Sequence, residues 1–272
     1  MNQKFLKFIT AIYYKFPVLR PYIIFIKETL FFRPTFSGGA IKTQATLPWD
    51  DKYQSHIFRK AKADIQKSFE SYKDKHGVDI NISLWRNWIV SYSTRHAINF
   101  AENSEFNFVE CGVGDGISAF FTLREISGQK NYHKFSMHLY DSWKVMRQEE
   151  LLSTELSKIG KYDKLDIEIT KRNLSEFQDH IIYHQDYIPE SFNTLPKPPN
   201  SIVYLHIDLN SAKPTLATLK LFYPRLVKGG VILFDDYGWR EYEDTKKVID
   251  EFFSDKPGIL LKFPTAQALY YR

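Results

Sequence analysis

The chain has 272 residues and a mass of 32.1 kDa, enough for one large domain or one domain with an appendage; 43% apolar and 25% charged residues exclude global disorder. A single cysteine, Cys111, excludes an internal disulfide framework and makes a reducing, cytoplasmic setting the simpler expectation. The formal charge of +5 is concentrated: residues 1–34 hold six basic residues against Glu28 alone, which leaves the rest balanced and without the basic footprint that nucleic-acid binding needs.

The basic N-terminal arm is also aromatic. Phe5, Phe8, Ile9, Ile12 and Phe16 recur at helical spacing, Pro17 and Pro21 should end that helix, and a second apolar stretch covers 22–32. No uncharged run approaches the ~18 residues of a spanning helix, and a secretory leader is a poor match. Two readings stay open, a helical lid on the body or a helix at the inner membrane surface. The stretch 37–48 is the expected boundary, giving an arm over 1–48 and a body over 49–272. An amphipathic run follows at 82–98, with Trp85 and Trp88 read as core.

Beyond it short apolar runs alternate with helical patterns. Strands are expected at 107–111, 135–140, 181–184, 202–207 and 231–234, with helices at 117–126, 215–223 and 242–253. Runs at 259–263 and 268–271 flank the Pro264–Thr265 turn and read as a hairpin. This is an α/β pattern: a mostly parallel sheet covered on both faces, with a C-terminal antiparallel hairpin. In such sheets ligands bind at the carboxyl ends of the strands, so the residues after each strand carry the functional signal.

After the first strand comes Glu110-Cys111-Gly112-Val113-Gly114-Asp115-Gly116. Alternate glycines allow a sharp turn and close backbone approach. The spacing differs from the G-x-G-x-x-G dinucleotide fingerprint, and Glu110 and Asp115 suit a ligand with a positive charge, such as S-adenosylmethionine. A tight turn without a ligand is the bland alternative. Asp141, with Ser142, ends the second strand, where an acid accepts from a ribose diol or merely caps a helix. Asp186 follows the third strand, facing either an adenine or solvent. Asp208 follows the fourth, and Asp235 and Asp236 follow the fifth. If those strands are neighbours their ends lie about 5 Å apart, and three crowded carboxylates call for a hard cation such as Mg2+ unless one caps a helix and another faces water. His206 and His184 read as core residues of the sheet, and Cys111 as small packing. A nicotinamide enzyme and a non-catalytic scaffold or membrane-surface protein with a vestigial pocket are the competing classes.

Together these segments resemble the macrocin O-methyltransferase family. The resemblance rests on Val-Glu-Cys-Gly-Val in the first turn, Tyr-Asp-Ser-Trp after the second strand, Leu-His-Ile-Asp-Leu-Asn, and Tyr-Pro-Arg-Leu-Val-Lys-Gly-Gly-Val-Ile-Leu-Phe-Asp-Asp-Tyr-Gly-Trp; it spans about residues 107–272. It implies a Rossmann-like class I methyltransferase fold and transfer from S-adenosylmethionine to a sugar hydroxyl with Mg2+. By position, Glu110, Gly112 and Asp141 would contact the cofactor, and Asp208, Asp235 and Asp236 would hold the metal, with Asp208 also the general base. Two departures stand out: Asn210 and Ala212 replace the second acid and the tyrosine of the family's Asp-x-Asp-x-Tyr, and Gly114-Asp115-Gly116 replaces bulkier or basic residues. The expected partner is a small-molecule or glycan acceptor, not nucleic acid; self-association into a homo-oligomer is left open.

Overall fold

A computed structural model describes residues 47–52, 55–69, 83–102, 105–129 and 134–272. The expected arm lies outside the described residues apart from its last two, and so do both readings of it. Among the described residues no helix is long and apolar enough to cross a membrane.

Seven strands form one sheet. They are β1 (Phe106–Cys111), β2 (Phe135–Asp141), β3 (Ile181–Gln185), β4 (Ile202–Ile207), β5 (Leu226–Phe234), β6 (Ile259–Lys262) and β7 (Ala268–Tyr271), in the order β3-β2-β1-β4-β5-β7-β6. The first five run parallel; β7 is antiparallel to β5 and to β6, as the hairpin reading expected. Strand order reverses between β1 and β4, which opens a crevice at their carboxyl ends. There Cys111 pairs with both Tyr140 and Ile207, and Ile207 pairs with Phe234. The register therefore sets Gly112, Asp208 and Asp235 on one edge.

The strands read as unbroken apolar runs because both faces are buried. Phe108, Tyr204 and Leu233 enter one core while their neighbours Val109, Leu205 and Phe234 enter the other. The first core is closed by α1 (His56–Ser68), α2 (Leu84–Phe100) and α3 (Ile117–Ser127), through Phe58, Val90, Ala97 and Phe121. The second is closed by α5 (Ala212–Phe222) and α6 (Glu243–Phe253), through Leu219, Phe222 and Ile249. The short α4 (Ile167–Asn173) precedes β3 and is capped by Asp166, whose carboxylate accepts from Glu168 N at 2.9 Å.

Several expected boundaries move. Helix α5 begins at Ala212, three residues early, because Pro214 in the first turn needs no amide partner. Strand β5 begins at Leu226, its glycine pair lying within the strand; a Cβ at Gly229 would come 2.0 Å from the Phe100 carbonyl. Helices α1 and α4 were not anticipated. Helix α2 is buried on more faces than an amphipathic run implies: Ser93 and Thr94 are inside and return their hydroxyls to Ile89 O and Val90 O at 2.7 and 2.8 Å. Trp88 packs edge-on against Phe58, whereas Trp85 remains partly exposed against Trp49.

His184 belongs to the sheet, as expected, and meets His138 ring to ring, Nδ1 to Nε2 at 3.0 Å. Burial pushes both down to about 4, with mutual repulsion adding to the effect on His138. An unfolded histidine titrates near ~6.5, so below that pH the unfolded chain binds protons that the folded chain refuses. These histidines should therefore cost stability as pH falls from about 6.5 to about 4. The urea midpoint of a His138→Gln/His184→Gln variant should depend less on pH across that window than the wild type's; identical pH dependence would contradict the assignment.

Candidate active site

A cavity of about 490 Å³ opens at the carboxyl edge of the sheet, within the range typical of small-molecule sites. The strand ends are laced together beneath it: Gly112 N donates to Tyr140 O, Asp208 N to Cys111 O, and Asp235 N to Ile207 O, at 2.8, 2.8 and 3.0 Å. This close lacing explains Gly112, which has φ +87°; a Cβ there would lie 1.9 Å from the Asp208 carbonyl. The chain just after β4 is enough to require glycine here.

Asp141 holds the glycine turn from the second strand. Its Oδ2 accepts from Val113 N and Gly114 N at 2.7 and 3.0 Å, and its Oδ1 from Trp143 N at 2.7 Å. Burial pushes its carboxyl up, the three amides pull it back, and the Asp208 charge adds to the rise. The turn's carbonyls are fixed from the other side, because Thr170 Oγ1 and Trp143 Nε1 donate to Gly114 O and Asn173 Nδ2 to Asp115 O. Gly112, Gly114, Asp115, Asp141, Ser142 and Asp186 all line the cavity.

Glu110 and Gly116, expected among the cofactor contacts, do not line it. Glu110 is fully buried behind the wall, accepts from Ser118 Oγ at 2.5 Å, and faces His206 Nδ1 at 3.5 Å. Its side chain thus faces the core rather than the open cavity. His206 is buried as expected but is not a satisfied core residue. It stands between Glu110 and Asp235 Oδ1, the latter 3.7 Å from Nε2, with neither ring nitrogen in a hydrogen bond.

The three aspartates of β4 and β5 converge, each offering an oxygen within 4.8 Å of the others. Their environments differ. Asp235 is paired with Arg86 of α2 and accepts from Gln267 Nε2 at 2.6 Å. Asp208 and Asp236 face the cavity; Asn210 Nδ2 donates to Asp208 Oδ1 at 3.3 Å, and Asn210 N to Asp236 Oδ2 at 3.1 Å. Burial and then the Asp208 charge hold the Asp236 carboxyl well above the usual carboxylate range, against Arg86 and the Asn210 amide. Three acids against one guanidinium fit a divalent cation with oxygen ligands, and Asp208 and Asp236 are the two open to it. Asn210, the departure from Asp-x-Asp, adopts φ +57°, which asparagine tolerates better than most residues. Its carbonyl is held by Lys158 Nζ at 2.8 Å, and that buried lysine pairs with Glu155.

An expected result follows from this crowding. Asp236→Asn should raise the melting temperature of the metal-free protein near pH 8, by about 2–4 °C per kcal/mol of repulsion removed. Millimolar Mg2+ should raise the wild type's melting temperature, and the variant should lose that response. A lower melting temperature with an undiminished Mg2+ response would contradict both.

Arg86, Tyr162, Trp239 and Tyr242 are among the wall residues that were not anticipated as functional. Arg86 was part of a helix read as core, and Tyr162 lies in a loop with no local motif. Trp239 and Tyr242 lie three and six positions after Asp236, and their nearness to the carboxylates was the available signal.

Sheet order, the laced glycine turn and the acidic strand ends together define an α/β Rossmann-like methyltransferase fold. Residues 109–237 match the family model described as a methyltransferase domain. The structure is similar to that of the O-methyltransferase NovP, with a TM-score of 0.61 at 17% identity over 70% of this chain and 80% of that one. It is also similar to CalS11, a calicheamicin methyltransferase, with a TM-score of 0.54 at 13% identity over 87% of this chain and 98% of that one. No curated protein matches the chain. Residues 109–237 thus carry the match to a methyltransferase domain, on a fold shared with both structures.

Proposed function

We propose that the protein transfers the methyl group of S-adenosylmethionine to a hydroxyl of a sugar or glycan-type acceptor, with Mg2+ at the aspartate cluster. The observation that carries this reading is the convergence of Asp208, Asp235 and Asp236 on the edge that also holds the glycine turn. The resemblance to macrocin O-methyltransferases supports the sugar as acceptor, and the fold shared with a calicheamicin methyltransferase agrees with it. In this reading Gly112, Gly114, Asp115, Asp141, Ser142 and Asp186 hold the cofactor, while Glu110 and Gly116 shape the turn from behind.

When bound, S-adenosylmethionine supplies the methyl group with its leaving group, and a divalent cation supplies charge that favours a deprotonated hydroxyl. The chain's residues do the rest. Asp208, steadied at Oδ1 by Asn210, takes the proton of the acceptor hydroxyl. Asp236 is the second open oxygen donor, and Asp235, paired with Arg86 and Gln267, adds its charge from behind them. Asp141 holds the turn so that cofactor and acceptor meet in line, which is where much of the rate enhancement arises.

Calorimetry with S-adenosylhomocysteine, followed by a mass-spectrometric screen of sugars and glycans for the gain of one methyl group with and without chelator, tests this. Binding together with chelator-sensitive methylation is the expected outcome. Binding of a nicotinamide dinucleotide in place of S-adenosylhomocysteine would sink the reading, and full turnover in chelator would remove the metal while leaving Asp208 as the base.

A further inference from the structure

The sheet order distributes the cavity wall. Asp186, Asp141 and Gly112 end β3, β2 and β1, whereas Asp208 and Asp236 end β4 and β5, so the far side lies beyond the two aspartates. That side is aromatic. Trp239 and Tyr242 follow β5, and Tyr162 enters from the connection between β2 and β3. Tyr162 lines the same cavity wall as Tyr242, Asp208 and Asp236.

Two features set this group apart from packing aromatics. Trp239 is 44% exposed, and the guanidinium of Arg86 lies over it, 5.7 Å from the ring centroid. Tyr162 has φ +67°, a left-handed conformation that a bulky side chain avoids unless its surroundings impose it. They do so here: Met146 N donates to Lys161 O and Gly160 N to Met146 O, at 2.9 and 3.0 Å.

Charge narrows what can sit there. Among the described residues seven carboxylates line the cavity against two cations, Arg86 and Lys144. Arg86 is engaged by Asp235, and Lys144 follows Ser142 on the cofactor side. Among the described residues the aromatic side therefore presents Asp208, Asp236 and Glu241, and its one lining cation, Arg86, is already paired with Asp235. The single positive charge of the cofactor and a divalent ion would not reverse that balance. Hydroxyl groups, by contrast, find acceptors there, the flat face of a ring finds the indole, and an amine gains from both carboxylates and aromatic faces.

We propose that Trp239, Tyr162 and Tyr242 form the acceptor subsite and that it selects an uncharged or amine-bearing pyranose over a phosphorylated one. This rests on the O-methyltransferase reading above. The aromatic rings supply the attraction and the carboxylates the repulsion that specificity requires.

The test uses the full-length protein with S-adenosylhomocysteine bound and three probes: methyl α-glucopyranoside, glucosamine and glucose 1-phosphate. Binding is read by calorimetry and by quenching of tryptophan fluorescence, with Trp239→Phe as the spectral reference. The first two probes should bind about tenfold or more tightly than the phosphate, and Trp239→Ala should weaken them by about tenfold, the scale of one stacking contact. S-adenosylhomocysteine affinity should be unchanged in that variant, which also shows that it folds; Tyr162→Phe serves if it does not, with a smaller loss in the same direction. Preferential binding of glucose 1-phosphate, or undiminished sugar binding by Trp239→Ala, overturns the proposal. Binding of none of the three overturns it too and leaves the methyltransferase assignment standing, whereas failure of the wild type to bind S-adenosylhomocysteine strikes the reading beneath it.

Discussion

Asp208→Asn is expected to reduce methyl transfer by about 10²–10⁴-fold, the usual contribution of a positioned general base. Asparagine keeps the size of the side chain and an oxygen for Asn210 Nδ2, now 3.3 Å from Asp208 Oδ1, so the loop after β4 should hold its shape. What is lost is the ability to take a proton, together with one negative charge from the cluster shared with Asp235 and Asp236. The loss should therefore fall on kcat, and S-adenosylhomocysteine affinity should stay near the wild-type value because the Asp141 turn is untouched. The requirement for Mg2+ should rise at the same time. Single-turnover kinetics with a methylatable acceptor and calorimetry on the same preparation separate the two effects. Wild-type turnover in this variant would remove Asp208 from the chemistry, and equal losses in turnover and cofactor affinity would make its role structural.

Asp141→Ala should have the largest effect on cofactor binding. The carboxylate accepts three backbone N–H groups, from Val113, Gly114 and Trp143, and two of those belong to the glycine turn. Hydrogen bonds to a charged group contribute about 1.5–3 kcal/mol each, and part-buried amides left without an acceptor carry a further cost. A single lost bond of that size already means about 10- to 100-fold in affinity, so S-adenosylhomocysteine binding should fall by at least that factor. The variant should also unfold at lower urea, since two amides of the turn and that of Trp143 lose their acceptor. Asp141→Asn, which retains one carbonyl oxygen, should recover part of both. Unchanged affinity in the alanine variant would exclude Asp141 from the site, and lost stability with intact binding would restrict it to the turn.

The sequence by itself determined the architecture and the edge on which the site lies. Strand positions follow from short apolar runs buried on both faces, as in Ile202–Ile207, and from helical periods between them, which are local patterns that neighbouring residues impose on one another. The carboxylates could be placed at strand ends for the same reason, because a strand ends where its apolar run ends. Boundaries failed where local rules conflicted with packing, at Gly229 inside β5 and at Pro214 inside α5. Tertiary structure alone decided what each polar group does. Arg86 reaches Asp235 from 149 positions earlier in the chain, Tyr162 approaches Asp208 and Asp236 from a separate loop, and Glu110 turns into the core toward His206 instead of into the cavity. Charge state, burial and partner choice depend on distances of a few ångströms between elements far apart in sequence, and no local pattern encodes those distances.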